Sequence, residues 1–160
     1  MSLLTSLFGR GEPVLSEAAS RDAAPIAALH AASFRRGWSE QEVEGLLLDR
    51  HVVAHRAMAG TEMTGFIMSR LAAGEAEILS IAVEQRRRGR GLARNLLMLH
   101  LRRLAGLGAR TVFLEVDEHN APALRLYDRA GFREVARRPN YYPGAGDKAA
   151  AALVLRRDLV

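Results

Sequence analysis

The fold is decided by residues 78–94, which read Ile-Leu-Ser-Ile-Ala-Val-Glu-Gln-Arg-Arg-Arg-Gly-Arg-Gly-Leu-Ala-Arg. The first six residues are apolar apart from one serine, as in a buried strand, and the last three open a leucine-rich helix. An arginine- and glycine-rich turn joins them. Backbone N–H groups at a helix start point toward anions, and glycine lets the backbone approach a ligand closely. The stretch therefore predicts a strand, a phosphate-binding turn and a helix.

The turn also allows other interpretations. The run from Arg86 to Arg90 would suit a nucleic-acid surface or a solvated basic patch, and the residues alone leave this open. Gly89 and Gly91 resemble the start of a dinucleotide fingerprint, but its third small position is occupied by Arg94. A P-loop is excluded because no glycine-lysine pair precedes a serine or threonine. The position between a strand and a helix favours the phosphate ligand.

Length and composition restrict the class of protein and the chemistry that it can use. The 160 residues are enough for one domain with a sizeable core, and 49% hydrophobic with 26% charged residues is typical of globular proteins. The absence of cysteine excludes disulfides, cysteine-based zinc sites and a cysteine nucleophile. A net charge of +5 favours anionic partners. Residues 1–12 lack the features of a signal peptide and no apolar run is long enough to span a membrane, so we expect a flexible tail and a cytoplasmic protein.

Hydrophobic periodicity and capping residues predict alternating strands and helices. The predicted strands are Val14–Glu17, Val52–Arg56, Thr64–Arg70, Ala76–Val83, Thr111–Val116, Arg133–Arg137 and Ala151–Arg157. The predicted helices are Arg21–Ser33, Glu40–Leu48, Gly91–Ala105 and Asn120–Ala130, with a loop at 139–146. Ser39 and Asn120 are predicted N-caps, and Gly131 a C-terminal cap. The order predicts a mixed α/β domain around one sheet.

At the turn the chain resembles the Gcn5-related N-acetyltransferases, the GNAT family, whose acyl-CoA loop reads Gln/Arg-x-x-Gly-x-Gly/Ala. The pattern fits Arg88 to Ala93; a register starting at Arg86 also fits, but the first keeps the family's distance from the strand end at Val83. Further matches are Leu114-Glu115-Val116, Asn120 to Tyr127 and Ala130-Gly131-Phe132. The resemblance implies a single α/β GNAT domain over 13–160, with a mixed, mostly antiparallel central sheet flanked by helices. It also implies direct transfer from acetyl-CoA to an amine, without a metal.

Two stretches, Trp38-Ser39-Glu40 and Asn140-Tyr141-Tyr142-Pro143, more narrowly resemble the RimI type, the alanine N-acetyltransferases of a small-subunit ribosomal protein. Residues 148–155 lack the acidic residue that this type usually carries before its last strand. The narrower resemblance implies a protein N-terminus as substrate, such as that of a ribosomal protein. Trp38, Tyr141 and Tyr142 would line its groove.

The resemblance also implies catalytic roles. Glu115, a carboxylate in an otherwise apolar strand, would be the general base that deprotonates the amine, since an α-amine with a pKa of about 7.7–8.0 is mostly protonated at neutral pH. Tyr127 would be the general acid that protonates the departing thiolate. From the residues alone, Glu115 could instead be an exposed strand position, and Tyr127 a core residue packed on Leu124.

Cosubstrate contacts follow from the same resemblance. The strands 76–83 and 111–116 would part, and the pantetheine arm would pair with Ile81, Ala82 and Val83 as an added strand does. An amide of Ala82 or Val83 would bind the thioester oxygen. The phosphate-binding loop would comprise Arg88, Gly89, Arg90, Gly91, Leu92, Ala93 and Arg94. Asn120 would contact the cosubstrate as well as cap its helix.

Other functions stay open at this stage. The five histidines do not converge in the sequence, so no metal site is predicted, and His119 beside the site would act only through other groups. The acceptor could be a lysine side chain or a small amine. The chain could also be a non-catalytic acyl-CoA- or RNA-binding module. The favoured interpretation predicts a protein partner, with neither a membrane nor direct nucleic-acid contact.

Overall fold

In the computed structural model, which describes residues 11–142 and 149–160, strands and helices follow one another in the predicted order. The strands are β1 (Val14–Glu17), β2 (Val52–Ala59), β3 (Glu62–Ala72), β4 (Glu75–Val83), β5 (Thr111–Asp117), β6 (Arg133–Tyr142) and β7 (Ala150–Asp158). The helices are α1 (Ala23–Ser33), α2 (Glu40–Leu48), α3 (Leu92–Gly106) and α4 (Ala121–Arg129). Residues 1–10 lie outside the described chain, so the predicted tail over 1–12 stays a prediction.

The predicted caps are confirmed. The Ser39 hydroxyl accepts a hydrogen bond from the Glu42 N–H at the start of α2, and the side-chain Oδ1 of Asn120 accepts one from the Ala123 N–H at the start of α4. Gly131, directly after α4, has a φ of 86°, the left-handed conformation that suits glycine. These local signals located the helix ends because capping depends on residues close in sequence.

Several predicted boundaries are wrong, and two of them have an identifiable physical cause. The helix expected from Arg21 begins at Ala23, because the preceding residues Ser20–Asp22 form a short 3-10 helix. The Asp22 carboxylate accepts a hydrogen bond from the Ala19 N–H at the start of this short helix. The loop expected from residue 139 begins later, because β6 continues to Tyr142. The pairing of β6 with β7 shifts register between Arg138 and Tyr142, so β6 bulges at Pro139, which has no backbone N–H to donate. The remainder of that predicted loop, residues 143–146, lies outside the described residues.

The sheet has the order β1-β2-β3-β4-β5-β7-β6, and every neighbouring pair is antiparallel except β4 and β5. The parallel ladder between β4 and β5 ends at the pair Ile78–Leu114. Beyond that pair β4 continues to Val83 and β5 to Asp117 without pairing to each other. The predicted parting of these two strands is therefore confirmed, and it leaves a gap in the middle of the sheet.

Each face of the sheet carries its own core. On one face α3 packs on the sheet through Leu96, Leu97 and Leu104, all fully buried, and α4 packs beside it through Tyr127. On the other face α1 and α2 cover a second apolar cluster that includes Phe66 and Met68. Burial of apolar area on both faces holds the layers together and makes the fold an α/β domain with a mixed, mostly antiparallel sheet, as predicted. No helix in the described ranges is long and apolar enough to cross a membrane.

Candidate active site

The gap between β4 and β5 exposes backbone groups of β4. Residues of an antiparallel pair alternate between those that exchange hydrogen bonds with the partner and those that point away. The Glu84 N–H donates to the Thr64 carbonyl at 2.8 Å. By alternation Ala82 bonds to β3, and Ile81 and Val83 direct their backbone groups into the gap. The gap can therefore take an extended ligand arm as an extra strand.

The arginine- and glycine-rich turn leads from β4 into the first turn of α3. Gly91 is the N-cap of α3 with a φ of 81°, and no side chain caps this helix start. The first-turn N–H groups thus keep no side-chain acceptor, which suits an anion. The Arg88 side chain bends back and donates from Nε to the Val83 carbonyl oxygen at 3.2 Å, bracing the turn against the end of β4.

The other arginines of the turn have separate surroundings. Arg86 forms ion pairs with Glu62 and Glu84 and is thereby engaged within the protein. Arg90 lines a cavity of about 410 Å³ between α3 and the start of β1, together with Arg87 and other residues. None of the residues that line this cavity belongs to β4 or β5, so the cavity is separate from the gap.

Glu115 lies on β5 at the edge of the gap. Its neighbours Leu114 and Val116 are buried in the core under α3 and α4, so Glu115 projects to the opposite face of the sheet. Its side chain is 27% exposed, and its Oε1 lies 3.2 Å from an Arg138 guanidinium nitrogen. Glu115 is thus neither buried nor unpartnered. Sequence reasoning missed Arg138, because its contact depends on the register of β6 against β7 and not on any local motif.

Tyr127 lies on α4, on the other face of the sheet. Its ring is buried in the core and makes an edge contact with Phe132, with ring centres 5.6 Å apart. Burial raises the pKa of the Tyr127 phenol above its usual value of about 10, and the hydroxyl is protonated at neutral pH as in an ordinary tyrosine. α4 starts just after β5 ends, at the open end of the gap, with Asn120 at its N-cap. Tyr127 therefore combines the core position with the protonation state of a proton donor.

The three predicted groove residues do not form one cluster. Tyr141 and Tyr142 contact each other edge to face at 5.1 Å, and the Arg138 guanidinium lies 5.6 Å from the centre of the Tyr141 ring. Burial and the nearby Glu115 carboxylate, with smaller effects of other groups, raise the pKa of Tyr142. Both tyrosines therefore belong to the surroundings of Glu115. Trp38 instead stacks on His30, with ring centres 4.1 Å apart, beside the α1/α2 core.

Two of the histidines meet, against expectation. His55 of β2 and His100 of α3 are buried and joined by a 2.7 Å hydrogen bond between their Nδ1 atoms, and His100 Nε2 lies 2.6 Å from the Ser69 hydroxyl. His119 is exposed and lies 3.6 Å from the Glu118 carboxylate. Within 11–142 and 149–160, no group of three or more potential ligands could hold a metal ion.

A parted β4 and β5, an uncapped helix start after an arginine- and glycine-rich turn, and a carboxylate beside the gap define a class of acyltransferases. Residues 23–132 match the family model described as Acetyltransferase (GNAT) family, and the chain belongs to this family of N-acetyltransferases.

Known proteins similar to this chain agree with that class. A [Ribosomal protein bS18]-alanine N-acetyltransferase of Salmonella typhimurium is 36% identical over 108 residues, which cover 68% of this chain and 72% of that protein. The crystal structure of the ribosomal-protein-S18-alanine N-acetyltransferase from Escherichia coli superposes with a TM-score of 0.85 at 26% identity, covering 92% of this chain and 94% of that one. A mycothiol acetyltransferase of Clavibacter michiganensis is 41% identical over 78 residues, 49% of this chain and 26% of that protein.

Proposed function

We propose that this protein transfers the acetyl group of acetyl-CoA to the N-terminal amine of a protein, and that its target is the N-terminal alanine of a ribosomal protein. The observation that carries the proposal is the position of Glu115, a partly exposed carboxylate facing the side of the gap opposite α3 and α4. The target class is supported by the bS18-alanine N-acetyltransferases, to which the chain is similar over about 70% of their length. Such a target implies a cytoplasmic enzyme.

The residues around the gap fit acetyl-CoA as the cosubstrate. The pyrophosphate would be held by the backbone N–H groups of residues 88–94, since the start of α3 has no side-chain cap. The pantetheine arm would lie against Ile81 and Val83, whose backbone groups are directed into the gap, with Ala82 between them and Asn120 at the open end. When bound, acetyl-CoA supplies an activated acetyl group as a thioester.

Three residues of the chain then have separate roles in the transfer: a general base, a hydrogen-bond donor to the thioester and a general acid. Glu115 accepts a proton from the acceptor ammonium, directly or through water, so that the amine nitrogen becomes nucleophilic. The Val83 N–H donates a hydrogen bond to the thioester oxygen, where negative charge develops; the register favours Val83 over Ala82 for this role. Tyr127, whose hydroxyl is protonated at neutral pH as in any tyrosine, donates the proton that the departing thiolate needs.

Arg138, Tyr141 and Tyr142 would form the acceptor side of the site. They lie together around Glu115, and two of them are aromatic, as is typical of peptide-binding grooves. An arriving ammonium group competes with Arg138 for the Glu115 carboxylate. Because this ion pair is more than half exposed on the arginine side, it costs little to loosen. Trp38, which packs on His30, would contact the acceptor only from the α1/α2 side.

The test is mass spectrometry of ribosomal proteins from a strain that lacks this protein. We expect one ribosomal protein to lose an N-terminal acetyl group of 42 Da, about the mass of C₂H₂O, and to regain it when the wild-type gene, but not a Glu115→Gln variant, is restored. A ribosomal protein set unchanged in N-terminal acetylation would contradict the proposed target.

A small-molecule amine is the second candidate acceptor, and the similarity to a mycothiol acetyltransferase favours it. A panel of acceptors separates the two: a peptide beginning Ala-Arg, a peptide with an internal lysine and a blocked N-terminus, and a small-molecule primary amine. CoA release with the first alone supports the protein N-terminus. Tight binding of acetyl-CoA without CoA release from any acceptor would instead indicate a non-catalytic acyl-CoA-binding module.

A further inference from the structure

We propose that the hydroxyl of Ser80 binds the acceptor amine and holds it beside Glu115, an inference that rests on the proposed acetyl transfer. Ser80 is 7% exposed, and its Oγ is buried without a hydrogen-bond partner among the described residues. A buried hydroxyl without a partner costs free energy in the unliganded protein. A ligand group that supplies the missing hydrogen bond would remove this cost.

A β-bulge determines where the Ser80 hydroxyl points. In the pairing of β3 with β4, Met68 lies opposite Ser80 and Ser69 lies opposite Ile78, so that Leu79 is an extra residue. Ser69 faces α3, because its hydroxyl contacts His100. Met68 and therefore Ser80 face α1 and α2. Without the extra residue, Ser80 would share the face of Ile78 and point into the core under α3.

The bulge places Ser80 on the same face as Glu115, across the gap. The β4–β5 ladder ends at the pair Ile78–Leu114, so Ser80 and Glu115 are the first polar side chains that follow the last pair on each strand. On this face, the β4 side of the gap thus carries the Ser80 hydroxyl and the β5 side carries the Glu115 carboxylate. Both face the side opposite α3, whose N-terminus would hold the phosphates.

A primary ammonium group matches this pair chemically. It has three N–H donors, of which one can go to the Glu115 carboxylate and a second to the Ser80 hydroxyl. After Glu115 accepts its proton, the amine still donates to Ser80, which fixes the direction of the nitrogen lone pair toward the gap. No bond to Ser80 forms or breaks, so its role is binding and orientation.

The test compares Ser80→Ala with Ser69→Ala, using the acceptor amine from the panel that the wild-type protein acetylates best. For Ser80→Ala we expect the acceptor KM to rise about three- to tenfold, as the loss of one hydrogen bond implies, with unchanged Kd for acetyl-CoA by calorimetry. Thermal unfolding without ligands should not occur at a lower temperature, because no hydrogen bond of the free protein is lost.

Ser69→Ala is the matched control, one residue from Met68 on the facing strand. It should lower the unfolding temperature, since His100 loses a partner, and leave the acceptor KM as in wild type. An unchanged acceptor KM for Ser80→Ala, with an active wild-type protein, would overturn the role of Ser80 alone. A wild-type protein that acetylates no amine would overturn the proposed function, and the role of Ser80 with it.

Discussion

Glu115 is the residue on which the proposed chemistry depends most. Its side chain faces the acceptor side of the gap and is paired with Arg138 at 3.2 Å. The ion pair fixes the direction of the Glu115 carboxylate on the acceptor side of the gap. The pairing also means that the acceptor ammonium meets a negative charge already held in place.

Changing Glu115 to Gln keeps the shape of the side chain and removes its basicity. We expect acetyl-CoA affinity to stay the same and turnover at neutral pH to fall about 10²–10⁴-fold. The defect should shrink as pH rises, since the amine then loses its proton without help. A pH–rate profile for the variant that coincides with wild type at every pH would exclude the role.

Tyr127 can be tested without disturbing its packing. Tyr127→Phe keeps the ring that contacts Phe132 and removes only the hydroxyl. If the hydroxyl donates the proton to the thiolate, kcat should fall about 10²-fold or more near neutral pH, with little change in the Kd of acetyl-CoA. The measurement is CoA release with a saturating acceptor. Near-normal kcat would leave Tyr127 as a core residue only.

At the scale of elements, the pair β4 and α3 forms the cosubstrate side. The turn between them contains two glycines in the left-handed conformation, Gly89 and Gly91, and space for a Cβ atom is open at both. A side chain at either position would therefore meet no neighbouring atom, but the left-handed backbone conformation there favours glycine. Charge at this turn can be changed without a steric clash.

Gly91→Glu should abolish measurable acetyl-CoA binding, because it places a negative charge where the phosphates would lie. Gly91→Ala is the control for backbone strain, since any side chain at a φ of 81° costs about 1 kcal/mol or more. Calorimetry should show at least about tenfold weaker binding for the glutamate variant than for the alanine variant. Equal affinities of the two variants would contradict the phosphate site.

At the scale of the whole molecule, a buried polar chain joins the sheet to α3. His55, His100 and Ser69 are linked by hydrogen bonds of 2.7 and 2.6 Å. Only one of the two facing Nδ1 atoms can carry the proton, so the pair is satisfied with both rings neutral. Burial, and to a smaller extent His55, lower the pKa of His100 to about 3. Burial also lowers the pKa of His55; by smaller amounts, the Glu17 carboxylate raises this pKa and the Arg103 guanidinium lowers it.

These histidines make the fold sensitive to acid. The folded pKa of His100 lies below its unfolded value of 6.5, so protons bind the unfolded chain preferentially. The resulting stability is complete above pH 6.5 and is lost as pH falls toward 3. From pH 7 to 5 we expect a loss of about 2 kcal/mol in the free energy of unfolding through His100.

The measurement is chemical denaturation at pH 7 and pH 5. His100→Gln, which keeps hydrogen-bonding groups for Ser69 and His55, should remove most of this difference. His51→Gln changes an exposed histidine and should leave the difference as in wild type. The same loss between pH 7 and 5 in all three proteins would show that His100 does not cause it.

The sequence by itself determined the parts of this protein that depend on neighbouring residues. The strand–turn–helix over 78–94, the caps at Ser39 and Asn120, and the apolar face of α3 were predicted because each is a local pattern of residue types. The parting of β4 and β5 was predicted through the family resemblance that the same stretch carries. Site roles at Glu115 and Tyr127 remain predictions that the variants above test.

Only the tertiary structure decided the contacts that join distant elements. Arg138 reaches Glu115, and His55 meets His100, because strands pair in a particular register and helices pack on a particular face. Ser80 turns toward the acceptor side because of a single extra residue in β4. A shift of one residue moves a side chain to the other face of a sheet, and local sequence patterns do not specify such shifts. The residues on the acceptor side of the site could therefore be identified only from the folded structure.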